Sequence, residues 1–302
     1  MAKTLVPGKD YIGCRIMDLP EGKQRAAADE AILNNLANRP TMRGLEKLLD
    51  ETALESISRP QFLSVLTSKY WGKDGVDLSV SFMENTAPVL RDKILEYMNR
   101  WNEHGNVKFK WSQSGGEVRI SRGKGGYYSY LGNDILHISR NEQTMNLEGF
   151  VLNTPEVEYR RVVCHETGHT LGFPHEHMRR QIIAKLDVGK TIDYFRRFQN
   201  WNEQTTRQQV LTPIEETSIM GTADADEDSI MCYSLPASIT KDGKGIKGGD
   251  DINATDAAAA LSLYPFAITP VGPVKPPVGF AKIDLDKKTI TFANGLVLQQ
   301  IG

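Results

Sequence analysis

Thirteen residues, 165 to 177, constrain the fold of this chain more than any other stretch. The chain has six histidines, and four of them fall within this stretch. It begins H-E-x-x-H, so on a helix His165 and His169 lie one turn apart and face the same way. Gly172 suits a helix C-cap, and Pro174 prevents the helix from resuming. We therefore expect a helix that ends at a glycine and a chain that then turns back.

The reversal of the chain would bring a third imidazole, His175, to the first two. Three neutral imidazoles and one water are typical of an open catalytic zinc site rather than a closed structural one. Glu166 points about 100° round the helix from His165, so it can miss the metal and still reach a water beside it. The pattern H-E-x-x-H-x-x-G-x-x-H predicts one Zn²⁺ on His165, His169 and His175, with Glu166 as general base in peptide-bond hydrolysis.

The segment from His165 to Arg179 reads H-E-T-G-H-T-L-G-F-P-H-E-H-M-R and resembles the astacin signature H-E-x-x-H-x-x-G-F-x-H-E-x-x-R. This resemblance implies the same zinc ligands and the same base. It also implies that Glu176 is buried near the mature N-terminus. The acidic-basic-acidic run that usually follows in astacins is absent here, where the chain reads Arg180-Gln181-Ile182.

A second motif, S-I-M-C-Y at residues 229–233, resembles the astacin methionine turn S-x-M-H-Y. The resemblance implies that Met231 packs beneath the zinc ligands. It implies that Tyr233 serves as a fifth zinc ligand that swings away when substrate binds, and that its phenol then stabilises the oxyanion. Cys232 replaces the histidine of the family.

The order of predicted elements indicates an α+β chain. Residues 78–83, 107–111 and 118–121 read as strands, and a helix with an apolar face lies between the first two, which favours a partly parallel sheet. Residues 125–132 and a predicted strand at 135–138 resemble the astacin edge region, where substrate adds to the sheet as a strand. The alternative is an aromatic hairpin that packs on the core. The resemblance implies a metzincin-like zincin, with a twisted mixed five-stranded sheet, a zinc helix and two lobes flanking a substrate cleft.

The chain is expected to divide into three parts: a helical N-terminal segment (1–68), an astacin-like catalytic domain (69–265) and a Pro-rich linker with a short β tail (266–302). The N-terminal segment is either an accessory layer or a prosegment that fills the cleft. Tyr11-Ile12-Gly13-Cys14 resembles the prosegment motif F-x-G-D, with a cysteine in place of the zinc-binding acid. A thiolate is a good zinc ligand, so Cys14 is a candidate ligand in a latent state. The alternative is a small buried apolar residue.

Composition excludes several other functions. The net charge is −2, which gives no basis for binding nucleic acid or an anionic membrane surface, and no apolar run approaches the ~20 residues that span a bilayer. The odd, sparse count of three cysteines argues against a disulfide framework. Secreted animal astacins carry conserved disulfides in the catalytic domain, so the resemblance implies a disulfide-free, bacterial-type relative. The first residues lack the apolar core of a signal peptide, so we expect a cytoplasmic protein or non-classical export.

The predicted partner is a protein or peptide substrate of unknown sequence, and the oligomeric state stays open. The alternatives to an astacin-type endopeptidase are a latent or chiefly binding form, a matrixin-like metzincin and a non-enzymatic zinc module. The last alternative would not require Glu166.

Overall fold

The structure is a computed structural model that describes residues 14–39, 68–72, 74–213 and 224–266, together with three short strands between 282 and 299. The chain forms two compact units, which divide after Phe266. The first unit contains every candidate site residue. The predicted helix at 43–57 lies outside the described residues.

A six-stranded sheet forms the frame of the first unit, with the order β1-β5-β6-β4-β2-β3. All neighbouring strands are parallel except β5 and β6, which are antiparallel. The strands are β1 (Arg15–Met17), β2 (Val76–Phe82), β3 (Val107–Trp111), β4 (Val118–Ser121), β5 (Tyr127–Tyr130) and β6 (Met145–Leu147). The mixed sheet agrees with the predicted α+β class. Five of its strands lie in the predicted catalytic domain, and the N-terminal segment adds the sixth, β1.

Some of the described helices pack on the sheet, and others follow its last strand in the chain. They are α1 (Glu21–Asn34), α2 (Pro88–Met98), α3 (Glu156–Glu158), α4 (Cys164–Thr170), α5 (Arg180–Ile183), α6 (Val188–Gln199), α7 (Glu203–Thr206) and α8 (Ala254–Leu263). Single π-helical turns extend two of these helices, Tyr159–Val163 before α4 and Arg207–Leu211 after α7.

The core lies between the sheet and α2. As the apolar spacing predicts, Leu90, Ile94, Met98 and Trp101 are all buried. Trp101 stacks on Phe173 with ring centroids 5.3 Å apart, and its indole N–H donates to the Cys164 carbonyl at 2.9 Å. This contact joins the core to the first residue of α4.

The prediction of a strand at 135–138 is wrong. Those residues belong to a 3₁₀-helix, Gly132–His137, and the edge strand is β5 just before it. Gly132 has a φ of +48°, and a Cβ there would lie 1.8 Å from the Lys69 carbonyl oxygen. This turn, which only glycine fits, redirects the chain before a strand can form. His137 faces Glu30 of α1 at 3.1 Å and takes no part in the histidine cluster.

The N-terminal residues 14–39 pack on this same edge. The carbonyl of His137 accepts a hydrogen bond from Lys23 of α1 at 2.8 Å, and the Asn38 side chain bonds both the N–H and the carbonyl of Tyr70. The second unit contains a three-stranded antiparallel sheet of β7 (Lys282–Asp284), β8 (Thr289–Thr291) and β9 (Val297–Gln299). None of the described helices is long and apolar enough to cross a lipid bilayer.

Candidate metal centre

The helix that carries the histidines begins after Pro155, which is the N-cap residue of α3. The Thr154 hydroxyl before it accepts from the Val151 N–H at 3.1 Å. The helix runs through one π turn into α4 and ends as predicted, because Gly172 has a φ of +96° that side-chain-bearing residues rarely adopt. The chain then reverses.

The reversal brings His175 against the two histidines of α4. The Nε2 atoms of His169 and His175 are 3.0 Å apart, and the rings of His165 and His175 have centroids 5.3 Å apart. Potential ligand atoms of His165, His169, His175 and Cys14 all lie within 4.8 Å of one another. The structure therefore brings together the three predicted ligands and the candidate latent-state ligand.

Two backbone carbonyls orient the first two imidazoles. His165 Nδ1 lies 2.6 Å from the Ile230 carbonyl, and His169 Nδ1 lies 2.8 Å from the Phe173 carbonyl. A carbonyl only accepts, so each Nδ1 carries the proton and each Nε2 keeps its lone pair for a metal. The His165 Nε2 is buried without a hydrogen-bond partner among the described residues. Such an orphaned lone pair fits a bound cation.

The electrostatics of the site also suit a metal. Desolvation lowers the pKa of His165 to about 4, and it lowers the pKa values of His169 and His175 well below the usual value. All three imidazoles are therefore neutral at pH 7, as coordination requires. Three neutral imidazoles that converge from a helix and a turn fit the ligand set of a catalytic zinc site.

Glu166 lies beside the ligands and is fully buried. Among the described residues, no N–H or O–H group donates to either carboxylate oxygen. Desolvation raises the pKa of Glu166 to about 8, and an interaction with the Cys14 thiol opposes part of that rise. Without a metal this group is therefore largely protonated at pH 7, and a zinc ion on the neighbouring imidazoles would favour its ionised form. The ionised carboxylate, with no competing N–H or O–H donor, can accept a proton from a water molecule.

Met231 packs directly beneath α4. A Cβ at Gly168 would lie 2.4 Å from Met231 Sδ and 3.3 Å from the Trp101 ring, so only glycine leaves room for the thioether at this point. The methionine thus lies under the helix between its two ligands. This is the position that the S-I-M-C-Y motif predicts.

Asp256 holds the turn that contains Met231. Its carboxylate accepts from the Ser229 hydroxyl at 2.6 Å, the Ile230 N–H at 2.9 Å and the Asn253 N–H at 3.0 Å. The carbonyl of Ile230 in turn orients His165. Sequence reasoning missed Asp256, and its one signal is its place as the third residue of α8, where it completes a capping box with Asn253.

Tyr233 is fully buried on the other side of the ligands. Its ring centroid lies 4.6 Å from that of His175, and its hydroxyl donates to the Cys14 carbonyl. His177, to which the sequence motif assigns no role, stacks on Tyr233 with centroids 3.8 Å apart and bonds the Gln209 carbonyl through Nε2 at 3.0 Å. Tyr233 is thereby held between the histidine cluster and the N-terminal segment.

Cys14 reaches the centre of the site. Its sulfur lies 3.2 Å from His169 Nε2 and 3.4 Å from His175 Nε2, and the residue is buried. Cys164 and Cys232 are also buried free thiols, but neither belongs to the cluster. Glu176, which the resemblance places near the mature N-terminus, accepts from Arg179 and from the Asp226 N–H, each at 3.0 Å.

Comparisons with known proteins point to one family. The profile of the Astacin peptidase family matches residues 65–244. The structures titled "Structure of myroilysin" and "Crystal structure of myroilysin" are 30% and 29% identical to this chain, with TM-scores of 0.60 and 0.51. They cover 65% and 66% of this chain, and the matches span 96% and 86% of their own.

A hatching enzyme zinc-protease from Oryzias latipes (Medaka fish), High choriolytic enzyme 1, is 18% identical with a TM-score of 0.44, and the match covers 65% of this chain and 94% of that one. No curated protein sequence matches this chain. The profile match spans more than half of the chain and includes all three candidate ligand histidines. This protein belongs to the astacin family of zinc metalloendopeptidases.

Proposed function

We propose that this chain hydrolyses internal peptide bonds with Glu166 as the general base. The observation that carries the proposal is a buried carboxylate with no N–H or O–H donor among the described residues, next to three converging imidazoles. The three imidazoles would hold a zinc ion, which would supply a Lewis acid for the peptide carbonyl and would lower the pKa of water. Glu166 accepts the proton of the attacking water and then gives it to the leaving amide nitrogen.

Tyr233 is the second catalytic residue of the proposal. Its hydroxyl now donates to the Cys14 carbonyl, at the level of the cluster. When a substrate replaces the N-terminal segment, the same hydroxyl can donate to the oxygen that develops negative charge on the substrate carbonyl. Its role as a fifth zinc ligand remains a prediction of the family resemblance.

The test of the base is Glu166→Ala in a chain that also carries Cys14→Ala, assayed beside Glu103→Ala in the same background; Glu103 is an exposed carboxylate that does not belong to the cluster. Glu166→Ala should bind one zinc per chain and lose roughly 10²- to 10⁴-fold in kcat/KM on a quenched fluorescent peptide, relative to the Cys14→Ala chain. Glu103→Ala should stay close to the rate of the Cys14→Ala chain. Hydrolysis by Glu166→Ala at more than a tenth of that rate would refute the assignment.

We further propose that the described state is latent, with Cys14 as the group that keeps substrate from the metal. The thiol lies within 3.4 Å of two ligand nitrogens, and β1 occupies the edge of β5 where a peptide would add to the sheet. The matrixin-like alternative gains no support from the comparisons, whereas the latent form is favoured by these two contacts.

Latency can be tested on the full chain with Cys14→Ala and Cys14→Ser. Both variants should hydrolyse peptide faster than the wild type, because neither can supply a thiolate ligand. Cys232→Ala removes another buried thiol and serves as the control. A chain that begins at Ser68 should also be active. Equal basal rates for the wild type and both Cys14 variants would show that the thiol does not impose latency.

A further inference from the structure

The strand β1 has a hydrogen-bonding partner on each of its two sides. One partner is a strand, and the other is a side chain. On one side it pairs in parallel with β5, with Ile16 opposite Ser129. On the other side the Gln209 carboxamide makes two hydrogen bonds to one residue. Its Oε1 accepts from the Ile16 N–H at 3.1 Å, and its Nε2 donates to the Ile16 carbonyl at 3.1 Å.

Gln209 bonds only backbone groups of β1 and makes neither of these two bonds to a side chain. In an extended strand, the N–H and C=O of one residue point to the same side, and those of its two neighbours point to the other. One carboxamide can therefore satisfy both groups of a single residue while the sheet pairs with the residues before and after it. Gln209 acts on β1 as a one-residue substitute for a neighbouring strand.

Gln209 is placed to bond the backbone N–H and C=O of one residue in any extended peptide that takes the position of β1. It is 8% exposed and lies on the π turn Arg207–Leu211, a form of helix found frequently at functional sites. Its own carbonyl is bonded by His177, which stacks on Tyr233 beside the ligands. The backbone of Gln209 is thus bonded to a residue that packs beside the candidate ligands.

Resting on the proposed function, we infer that Gln209 is a substrate-binding residue that pairs with the backbone of one residue of a bound peptide after β1 has left. The direction of the peptide does not matter to this pairing. If the chain runs the other way, N–H and C=O exchange places, and the carboxamide matches them by turning over. Peptides of different sequence are therefore bound by a common contact.

The structure also places this contact relative to the scissile bond. Ile16 follows Cys14, the residue at the metal, by two positions, which is about 6.6 Å of extended chain. The peptide residue paired with Gln209 should accordingly lie two or three positions from the bond that is cleaved. Methylation of its backbone nitrogen removes the N–H that donates to Gln209.

The experiment uses the full-length, zinc-loaded chain with Cys14→Ala and Glu166→Ala, which removes the thiol and prevents cleavage. Affinities are measured by fluorescence polarisation for a labelled eight-residue peptide substrate and for the set of its single N-methylated forms. In each protein the result is the ratio of the methylated Kd to the parent Kd. The competition from β1 cancels in this ratio, because it is the same for every peptide.

With Gln209 present, N-methylation at one position two or three residues from the scissile bond should weaken binding about three- to tenfold, the effect of one neutral hydrogen bond. Methionine has a similar length to glutamine and no carboxamide. In Gln209→Met, the ratio of methylated Kd to parent Kd at that position should fall below two, while the ratios at the other positions stay unchanged. Gln209→Glu retains the acceptor oxygen and should retain the effect. Gln208→Met is the control, because the Gln208 side chain bonds Asp18 of the N-terminal segment rather than the backbone of β1.

An unchanged methylation profile in Gln209→Met would overturn the inference, as would the failure of every peptide to bind. Hydrolysis of the parent peptide by the Cys14→Ala chain, with Glu166 intact, separates this outcome from a failure of the proposed function. If the peptide is hydrolysed but no N-methylation effect depends on Gln209, Glu166 keeps its proposed role and Gln209 loses its own. If one N-methylation effect depends on Gln209 but the peptide is not hydrolysed, Gln209 keeps its proposed role and the proposed function fails.

Discussion

Asp256 offers the most exacting test of how the metal centre is supported, because it touches none of the ligands. Its carboxylate accepts three hydrogen bonds, from Ser229, Ile230 and Asn253. Burial raises the pKa of Asp256, so the cost of desolvating the charge offsets part of the gain from these bonds. We therefore count each bond at the ordinary value of about 1 to 1.5 kcal/mol. Asp256→Ala should lower the free energy of unfolding by about 3 to 4.5 kcal/mol.

Asp256→Asn should behave differently. The amide oxygen can keep both backbone donors, and the new NH₂ group can face the Ser229 hydroxyl, which rotates to accept from it. The expected loss is about 1 kcal/mol. Asp251→Ala is the control, since Asp251 is 36% exposed and makes ion pairs with Arg100 and Arg160, a type of contact that contributes at most about 1 kcal/mol.

Urea unfolding of the zinc-free proteins measures stability, and competition with a fluorescent chelator measures zinc affinity. In Asp256→Ala the Ile230 carbonyl loses its anchor and can no longer fix the tautomer of His165, so zinc affinity should fall about 10- to 100-fold. In Asp256→Asn it should change by less than about threefold, as expected when the turn is intact. Equal losses in Asn and Ala variants, or an unchanged zinc affinity in Ala, would refute the reasoning.

Other contacts lead to three more predictions. Arg119→Lys should cost about 2 to 4 kcal/mol in urea unfolding, because the buried guanidinium donates to five backbone carbonyls that one ammonium cannot reach together, and a loss below about 1 kcal/mol would contradict this. The pKa of Glu117 is lowered, because hydrogen bonds from the Ser79 side chain and N–H outweigh its desolvation. A lowered folded-state pKa stabilises the protein above the unfolded pKa, so the advantage of the wild type over Glu117→Gln in urea midpoint should shrink as pH falls through 4.5 and below; an advantage that grows would refute it. Zinc removal by a chelator should lower the Tm of the wild type, because zinc binds the folded state. The fall in Tm should be much smaller in the double variant His165→Ala/His169→Ala. Equal falls in both proteins would exclude these two ligands.

The parts of the fold that depend on local pattern can be predicted from the sequence. The strands Val107–Trp111 and Val118–Ser121 lie where the pattern predicts them, and the apolar face of α2 is buried as its spacing requires. The histidine cluster is also predictable, because helix geometry and Gly172 alone bring the three imidazoles together.

What cannot be predicted depends on contacts between distant residues. The strand β1 has three residues, too few to show alternation. It forms because Tyr127–Tyr130 pairs with one of its sides and Gln209 bonds the other, and both lie more than a hundred residues away. Residues 135–138 read as a strand in the sequence, although 135–137 belong to the 3₁₀-helix Gly132–His137, since the Lys69 backbone that forces the turn is remote along the chain.

The support of the metal centre is hidden for a different reason. The groups that orient His165 and His169 are the carbonyls of Ile230 and Phe173, and every residue type carries a carbonyl. No choice of side chain can signal such a role. The sequence likewise does not distinguish Gln209 from a glutamine on the protein surface, because its partner, β1, is recognised only in the structure.

The π turn at Tyr159–Val163 has a consequence for how this chain can vary. One extra residue is inserted there, so the helical phase before the turn is offset by about 100° from the phase after it. Deleting a single residue would restore an unbroken α-helix and rotate the buried ring of Tyr159 away from Phe150. Loss or gain of one residue inside the turn would therefore displace either the core residues before it or the candidate ligands after it.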